Sequence, residues 1–277
     1  MQNPYKFDEP IHVAFSGGRS SGFMLKKIID AGLPEGSIVA FCNTGKEEEA
    51  TLEFVRDCGL NWNVQIVWLE YIPYDSEDPD ASQFKIVSFE TASRDGEPFE
   101  ALNRKCNYLP NPVTRKCSYM LKIRTAAKYC KSIGLDVGEN DSVVGFRYDE
   151  MRRVVKLKDR RNAPMAMAKH TKKDVTEFWA QQPFDLKLPN FNGITKHGNC
   201  DLCFLKGAGQ VYSLIAEKPE RAIWWAKMEA LALASKPDGA KFHKDRPTYQ
   251  QMYDNVMMQG DWIGHEDDES ISCFCGD

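Results

Sequence analysis

An apolar run, Ile11-His12-Val13-Ala14-Phe15, leads straight into Ser16-Gly17-Gly18-Arg19-Ser20-Ser21-Gly22, and Phe23–Ala31 then reads as a helix. No other stretch constrains the chain as much. A buried strand, a Gly/Ser turn and a helix N-terminus aim free backbone amides and the positive end of a helix dipole at one point, which makes an anion site. Gly17 and Gly18 permit positive φ and close approach of a phosphate. Ser16, Ser20 and Ser21 add hydroxyl donors, and Arg19 a planar cation. A plain strand-to-helix turn with N-capping serines would have the same composition. The run is neither a Walker A nor a G-x-G-x-x-G loop.

The pattern repeats. Ser37–Asn43 is a second buried strand candidate, followed by a helix through about Cys58, and Val64–Leu69 is a third strand. Such alternation predicts an α/β fold with a doubly wound, mostly parallel sheet. Ligands of such sheets bind beyond the C-terminal strand ends, where the serine loop and Asn43-Thr44-Gly45 would both lie. Asp75–Asp80 reads as an acidic loop. Residues 83–116 read as irregular and substrate-facing, Ser118–Ile133 as a helix closed by Gly134, and Ser142–Phe146 as another sheet strand. Val175–Trp179 is a short amphipathic segment, and Gly207–Ala234 reads as two helices broken at Pro219. The expected division is a nucleotide-binding domain over 1–165 and a mainly helical, cysteine-containing region over 166–277.

Three further elements carry chemistry. Asn43-Thr44-Gly45 with Glu47 or Glu48 is either part of a ligand pocket or a βα turn whose Thr44 caps the next helix. In Gly145-Phe-Arg147-Tyr-Asp-Glu150-Met-Arg-Arg153, a strand ending in glycine lets the backbone approach a ligand. Arg147 then offers a fork to phosphate or sulfate; a charged surface turn is the plainer reading. Cys200-Asp-Leu-Cys203 points two sulfurs at one place, as in zinc and iron–sulfur sites, and needs two more ligands. Cys117, Cys273 and Cys275 are the candidates. A redox dithiol or no metal at all are the other readings. His197 is expected to be a solvated loop residue, and Trp179, Trp224 and Trp225 packing residues.

Together these elements resemble the PP-loop superfamily of ATP pyrophosphatases and phosphoadenylyl-sulfate reductases. The resemblance runs over roughly residues 10–205 and through four short elements in order. The Ser16–Ser21 loop is similar to that superfamily's pyrophosphate loop, with Arg19 where many ATP-using members carry Lys. Asn43-Thr44-Gly45-x-Glu47 resembles a pocket-lining strand end of the reductase-like branch, and Gly145, Arg147, Glu150 and Arg153 match an element whose arginines reach the nucleotide's anionic end. Thr114-Arg-Lys-Cys117-x-x-x-x-Lys122 looks like an element of reductase-like and DNA-phosphorothioation members, in which the cysteine binds a cluster and the lysine faces the nucleotide. The resemblance implies ATP with Mg²⁺, or adenylyl or phosphoadenylyl sulfate, as ligand. It also implies a [4Fe–4S] cluster on Cys117, Cys200, Cys203 and one tail cysteine, Cys275 or Cys273; soft thiolates suit zinc equally.

Two functions compete. The loop favours cleavage of ATP to AMP and pyrophosphate, activating an oxygen that sulfur then displaces; Ser16, Arg19, Lys122 and Arg147 would carry the catalysis. The alternative is reduction of a sulfated adenylate through a C-terminal cysteine, and a non-catalytic binding module with structural zinc is a third class. Net charge is −4, yet residues 104–173 hold 18 Lys and Arg against 6 Asp and Glu. A block of that size suits a polyanion, either the nucleotide or a nucleic acid (tRNA or DNA), and a sulfur donor protein would be a second partner. The polar Met1–Glu9 and the lack of any apolar run of about 18 residues argue against secretion and membrane spanning. With nine cysteines and no signal segment, a reducing cytoplasm is expected.

Overall fold

The computed structural model describes residues 3–74, 82–106, 108–190, 195–235 and 240–259. The expected acidic loop at 75–80, Cys273 and Cys275 lie outside the described residues. The fold is α/β. Strands β1 (His12–Ala14), β2 (Ile38–Asn43) and β3 (Ile66–Pro73) are parallel, and β4 (Ser82–Val87) runs antiparallel to β3, giving the order β1-β2-β3-β4.

Side chains alternate across the sheet with the two-residue period of a strand. Val39 and Phe41 of β2 enter a core with helices α1 (Arg19–Gly32) and α2 (Glu49–Trp62). Ala40 and Cys42 face the other way, toward Ala126 and Tyr129. A π-helix, Ser118–Arg124, continues there as α4 (Thr125–Ser132), and Thr125 Oγ1 donates to the Met120 carbonyl at 2.7 Å across the widened turn. Gly134, at φ +82°, ends this helix as its sequence suggests.

Two sequence expectations need correction. Residues 83–116 are not irregular throughout, because Ser82–Val87 pairs along its length with β3. Glu97–Cys106 then forms α3, with Glu97 and Glu100 in its first turn and Arg104 and Lys105 in its last, as the helix dipole favours. Ser142–Phe146 is not a full strand. It touches β1 at one parallel bridge, Val13↔Val143, before Val144 bonds Asn162 and the chain turns.

After Val143 the chain makes two short helical turns, α5 (Met151–Val154) and α6 (Pro164–Met167), then α7 (Lys172–Trp179). Trp179 and Leu186 return to the α1/α2 core. Helices α8 (Ala208–Glu217), α9 (Arg221–Ser235) and α10 (Tyr249–Gln259) build a second core with α3 and the π-helix. Its centre is Trp225, fully buried among Phe99, Phe242 and Tyr249 with ring centroids 4.8–5.7 Å away. The two cores interleave along the chain. Among the described residues no helix is long and apolar enough to cross a membrane.

Candidate functional site

The chain progresses β1 to β2 to β3 in one direction, then returns to the opposite side of β1 at Val143. Reversals of this kind leave a crevice at the strand ends, which is where α/β sheets bind ligands. The serine loop lies in it. Gly17 has φ +78°, and a Cβ there would stand 2.7 Å from Thr51 Cγ2 and 3.0 Å from Val55 Cγ2, so only glycine fits. Gly18 is the N-cap of α1 and gives it no side-chain cap, nor is there an acid in the first turn. No side chain of the helix itself therefore offsets the dipole at that end, and the first-turn amides suit an anion.

Two spaces meet at this loop. The larger, about 380 Å³, lies on the α4 face of the sheet, where Ala14, Ala40 and Ala126 leave room beneath Ser16, Ser21, Gly145 and Phe146. The smaller is a cleft of about 20 Å³ under Gly17, Gly18, Glu47, Thr51 and Asn199, enough for a single water. Ser16 and Lys122 line both. Lys122 comes from the π-helix, a distortion that often marks functional positions. Its Nζ stands 3.6 Å from Oε1 of Glu47, a buried carboxylate whose other oxygen accepts from Thr44 N and Oγ1 at 3.0 and 2.8 Å.

The Gly145 segment is locked to the loop. A Cβ on Gly145 would fall 2.9 Å from Ser21 Cα and 3.0 Å from Ser21 N, and Arg147 Nη1 donates to Ser20 Oγ at 2.8 Å. Glu150 accepts from Arg147 N at 3.1 Å and from Arg153 Nη1 at 2.6 Å. Arg153 itself is buried, its guanidinium stacked 4.0 Å from the Phe146 ring centroid. Of this motif, Gly145 and Phe146 form cavity wall, while Glu150 and Arg153 brace it.

Other sequence candidates turn elsewhere. Arg19 donates from Nε and Nη2 to both oxygens of Asp185 at 2.8 and 2.9 Å, to the Leu186 carbonyl at 2.6 Å and to Thr195 Oγ1 at 3.1 Å. Its charge is matched by a carboxylate, so it straps the loop to Asp185, Leu186 and Thr195. Asn43 is fully buried and bridges Glu70 and the Ser93 carbonyl, and its Oδ1 accepts from Gly45 N at 3.1 Å. Asn43, Thr44 and Gly45 line neither space; Thr44 holds Glu47, and the Asn43–Gly45 bond fixes the turn before it. His197 is buried and 2.6 Å from Glu217, not solvated as its loop setting suggested.

The Cys-x-x-Cys turn abuts this scaffold. Glu47 and Cys200 form an antiparallel bridge, Cys200 Sγ is 3.5 Å from Thr44 Oγ1, and a buried Lys46–Asp201 pair closes at 3.0 Å. Cys203 and Cys200 belong to the second core, and Cys117 packs against it. Among the described residues no three His, Cys, Asp or Glu side chains converge as a metal site, so Cys117, Cys200 and Cys203 do not complete one by themselves.

Sequence reasoning missed His12, Ser142, Lys156 and Lys158, all of which line the larger cavity, and Asp185. His12 offered no motif; only its β1 position, two residues from Ala14 on one face, would have pointed to it. No family model matches this chain. It is similar to an uncharacterized nin region protein, ORF290, of Escherichia phage lambda: 27% identical over 239 residues, which covers 85% of this chain and 78% of that protein.

Proposed function

We propose that this chain is a PP-loop enzyme that binds ATP and cleaves it between the α- and β-phosphorus atoms. The observation that carries this reading is the shared position of Ser16 and Lys122. Both line the nucleoside-sized cavity and the cleft at the capless end of α1, so an α-phosphate would stand between the two spaces. In the reaction an oxygen of the acceptor, or of water where no acceptor is bound, attacks the α-phosphorus, the bond to the bridging oxygen breaks, and pyrophosphate leaves with the electron pair. The α1 amides, Ser16 and Lys122 stabilise charge developing on the departing group, a preorganised electrostatic contribution that needs no rearrangement during the step. Arg19 acts by holding the loop against Asp185, and Arg147 by holding Ser20. Glu47, whose buried Oε1 accepts no hydrogen bond among the described residues and faces Lys122 Nζ at 3.6 Å, would hold the Mg²⁺ that accompanies the nucleotide and neutralises its phosphates. The adenylated acceptor is then open to displacement of AMP by sulfur from a donor protein.

The resemblance also brings a thiolate-bound cluster, for which Cys117, Cys200, Cys203 and one tail cysteine would be ligands. The described thiols do not converge on one point, and no step above runs through such a group. The exposed cations Arg152, Lys156, Lys158, Arg160 and Arg161 border the cavity's 156–158 side and suit a nucleic acid as the acceptor.

The test is one experiment on anaerobically purified protein: incubation with MgATP or with phosphoadenylyl sulfate, assay of pyrophosphate and sulfite, and iron and zinc counted on the same sample. Pyrophosphate from ATP is expected, reduced about 10- to 100-fold in Ser16→Ala and Lys122→Gln with the fold intact. Sulfite in its place would assign the reductase reaction, and neither product a binding module.

A further inference from the structure

We propose that His12 reads the hydrogen-bonding edge of the nucleobase, which makes it the specificity-determining residue of the larger cavity. The inference rests on the adenine-nucleotide reading above. His12 opens β1 and lies on the sheet face of Ala14, whose small side chain, with Ala40 beside it, leaves the cavity open. The imidazole is 3% exposed. Its Nδ1 is 2.8 Å from Ser142 Oγ, and its Nε2 is buried with no hydrogen-bond partner among the described residues. A buried polar nitrogen without a partner is uncommon, because it has given up water and received nothing in return. Here the ring lines a cavity of about 380 Å³, so a ligand in that cavity is the available source of the missing bond.

The chemistry selects the kind of ligand. Burial lowers the pKa of His12 to about 4, so the ring is neutral near pH 7. A neutral imidazole carries one donor and one acceptor, and the Ser142 hydroxyl can satisfy Nδ1 in either role. Nε2 can therefore present whichever role a base edge requires. A phosphate or carboxylate would instead call for the imidazolium, which this setting disfavours. Position agrees with this. Ser16 follows His12 by four residues, about 13 Å if the chain is fully extended, which is roughly the reach of a nucleoside monophosphate from its phosphate to the far edge of its base.

The experiment measures binding of AMP and of its 6-deamino, 1-deaza, 3-deaza and 7-deaza analogues to the full chain, wild type against His12→Phe. Each analogue deletes one edge group. Expected for the wild type is one analogue that binds about tenfold more weakly than AMP, the loss that follows when a buried polar group is left unpaired. His12→Phe is expected to bind AMP and that analogue alike. An unchanged spread across the analogues in His12→Phe, or no spread in the wild type, overturns the assignment while leaving the nucleotide reading intact. Failure of the wild type to bind any of the five overturns both. Where His12→Phe does not fold, Ser142→Ala carries the test, since it frees Nδ1 and should shrink the same discrimination; a spread equal to that of the wild type rejects the role.

Discussion

His12 links the cavity to the stability of the chain. Its pKa in the folded state is lowered by burial to about 4, against 6.5 for an exposed histidine. As pH falls from 6.5 toward 4, the unfolded chain takes up a proton at this position and the folded chain does not, so folding weakens through that window. The whole shift corresponds to roughly 3 kcal/mol by pH 4. His170, 2.6 Å from the Tyr5 hydroxyl, is also lowered by burial and titrates in the same direction. The comparison that isolates His12 is therefore wild type against His12→Gln, by denaturant unfolding at a series of pH values. The variant should show a shallower fall between pH 6.5 and 4. Parallel curves would mean that the ring is hydrated or paired in solution, and would remove the orphaned nitrogen on which base reading depends.

One contact holds the site's elements together: the backbone of Gly145 against the first turn of α1. A methyl group at Gly145 would meet Ser21 Cα and N at 2.9 and 3.0 Å, and helix backbone cannot rotate aside as a side chain can. Gly145→Ala is expected to push residues 143–153 off the serine loop, break the Arg147–Ser20 bond and cost about 1–3 kcal/mol, with loss of nucleotide binding. Gly134→Ala is the matched control. Its φ of +82° brings strain, but nothing lies within 4 Å of the added carbon, so stability should fall and binding should not. Equal binding by both variants would show that the two elements work independently. Elements of this site differ in how legible they are from sequence. α1 and β2 are long enough to show their apolar periods, the three residues of β1 are marked by the apolar run that holds them, and Pro219 separates α8 from α9 where the sequence places the break. β4 escapes because Ser82-Gln-Phe-Lys-Ile-Val87 is an edge strand with mixed polarity on both faces and half of it exposed. Val143 misleads in the opposite sense: an apolar run beside a glycine looks like a strand, yet only one bridge forms. Arg19 is the clearest limit. Its position in the loop says phosphate, and only the tertiary fold, which brings Asp185 to it from 166 positions away, shows where its charge goes.

Across the whole molecule, the net charge of −4 conceals a division of labour within the basic block. Lys122, Arg147 and Arg153 stand 2.6–3.6 Å from the carboxylates of Glu47, Asp149 and Glu150, and serve the site from inside. Arg152, Lys156, Lys158, Arg160 and Arg161 are exposed along one stretch, with Tyr148 and Val155 among them, and Lys156 and Lys158 reach the cavity wall. Asp159, exposed in the same stretch, caps the turn that follows, its carboxylate accepting from Arg161 N at 2.8 Å. On the proposed function, a surface of closely spaced cations with an exposed tyrosine would suit the backbone and bases of a nucleic acid, and the adjoining cavity would put the acceptor next to the nucleotide. Binding of this kind releases counterions, so its affinity should fall steeply as salt rises from 50 to 200 mM. Each phosphate contact removed lowers the slope of log affinity against log salt by about 0.7–0.9. Arg160→Glu with Arg161→Glu should therefore weaken binding of tRNA and of DNA oligonucleotides alike and reduce that slope by roughly 1.4–1.8. ATP cleavage measured without nucleic acid should stay as in the wild type, because neither arginine lines the cavity or the cleft. A slope equal to that of the wild type would place the acceptor on another face, and a parallel loss of ATP cleavage would show that these arginines support the nucleotide pocket rather than a partner.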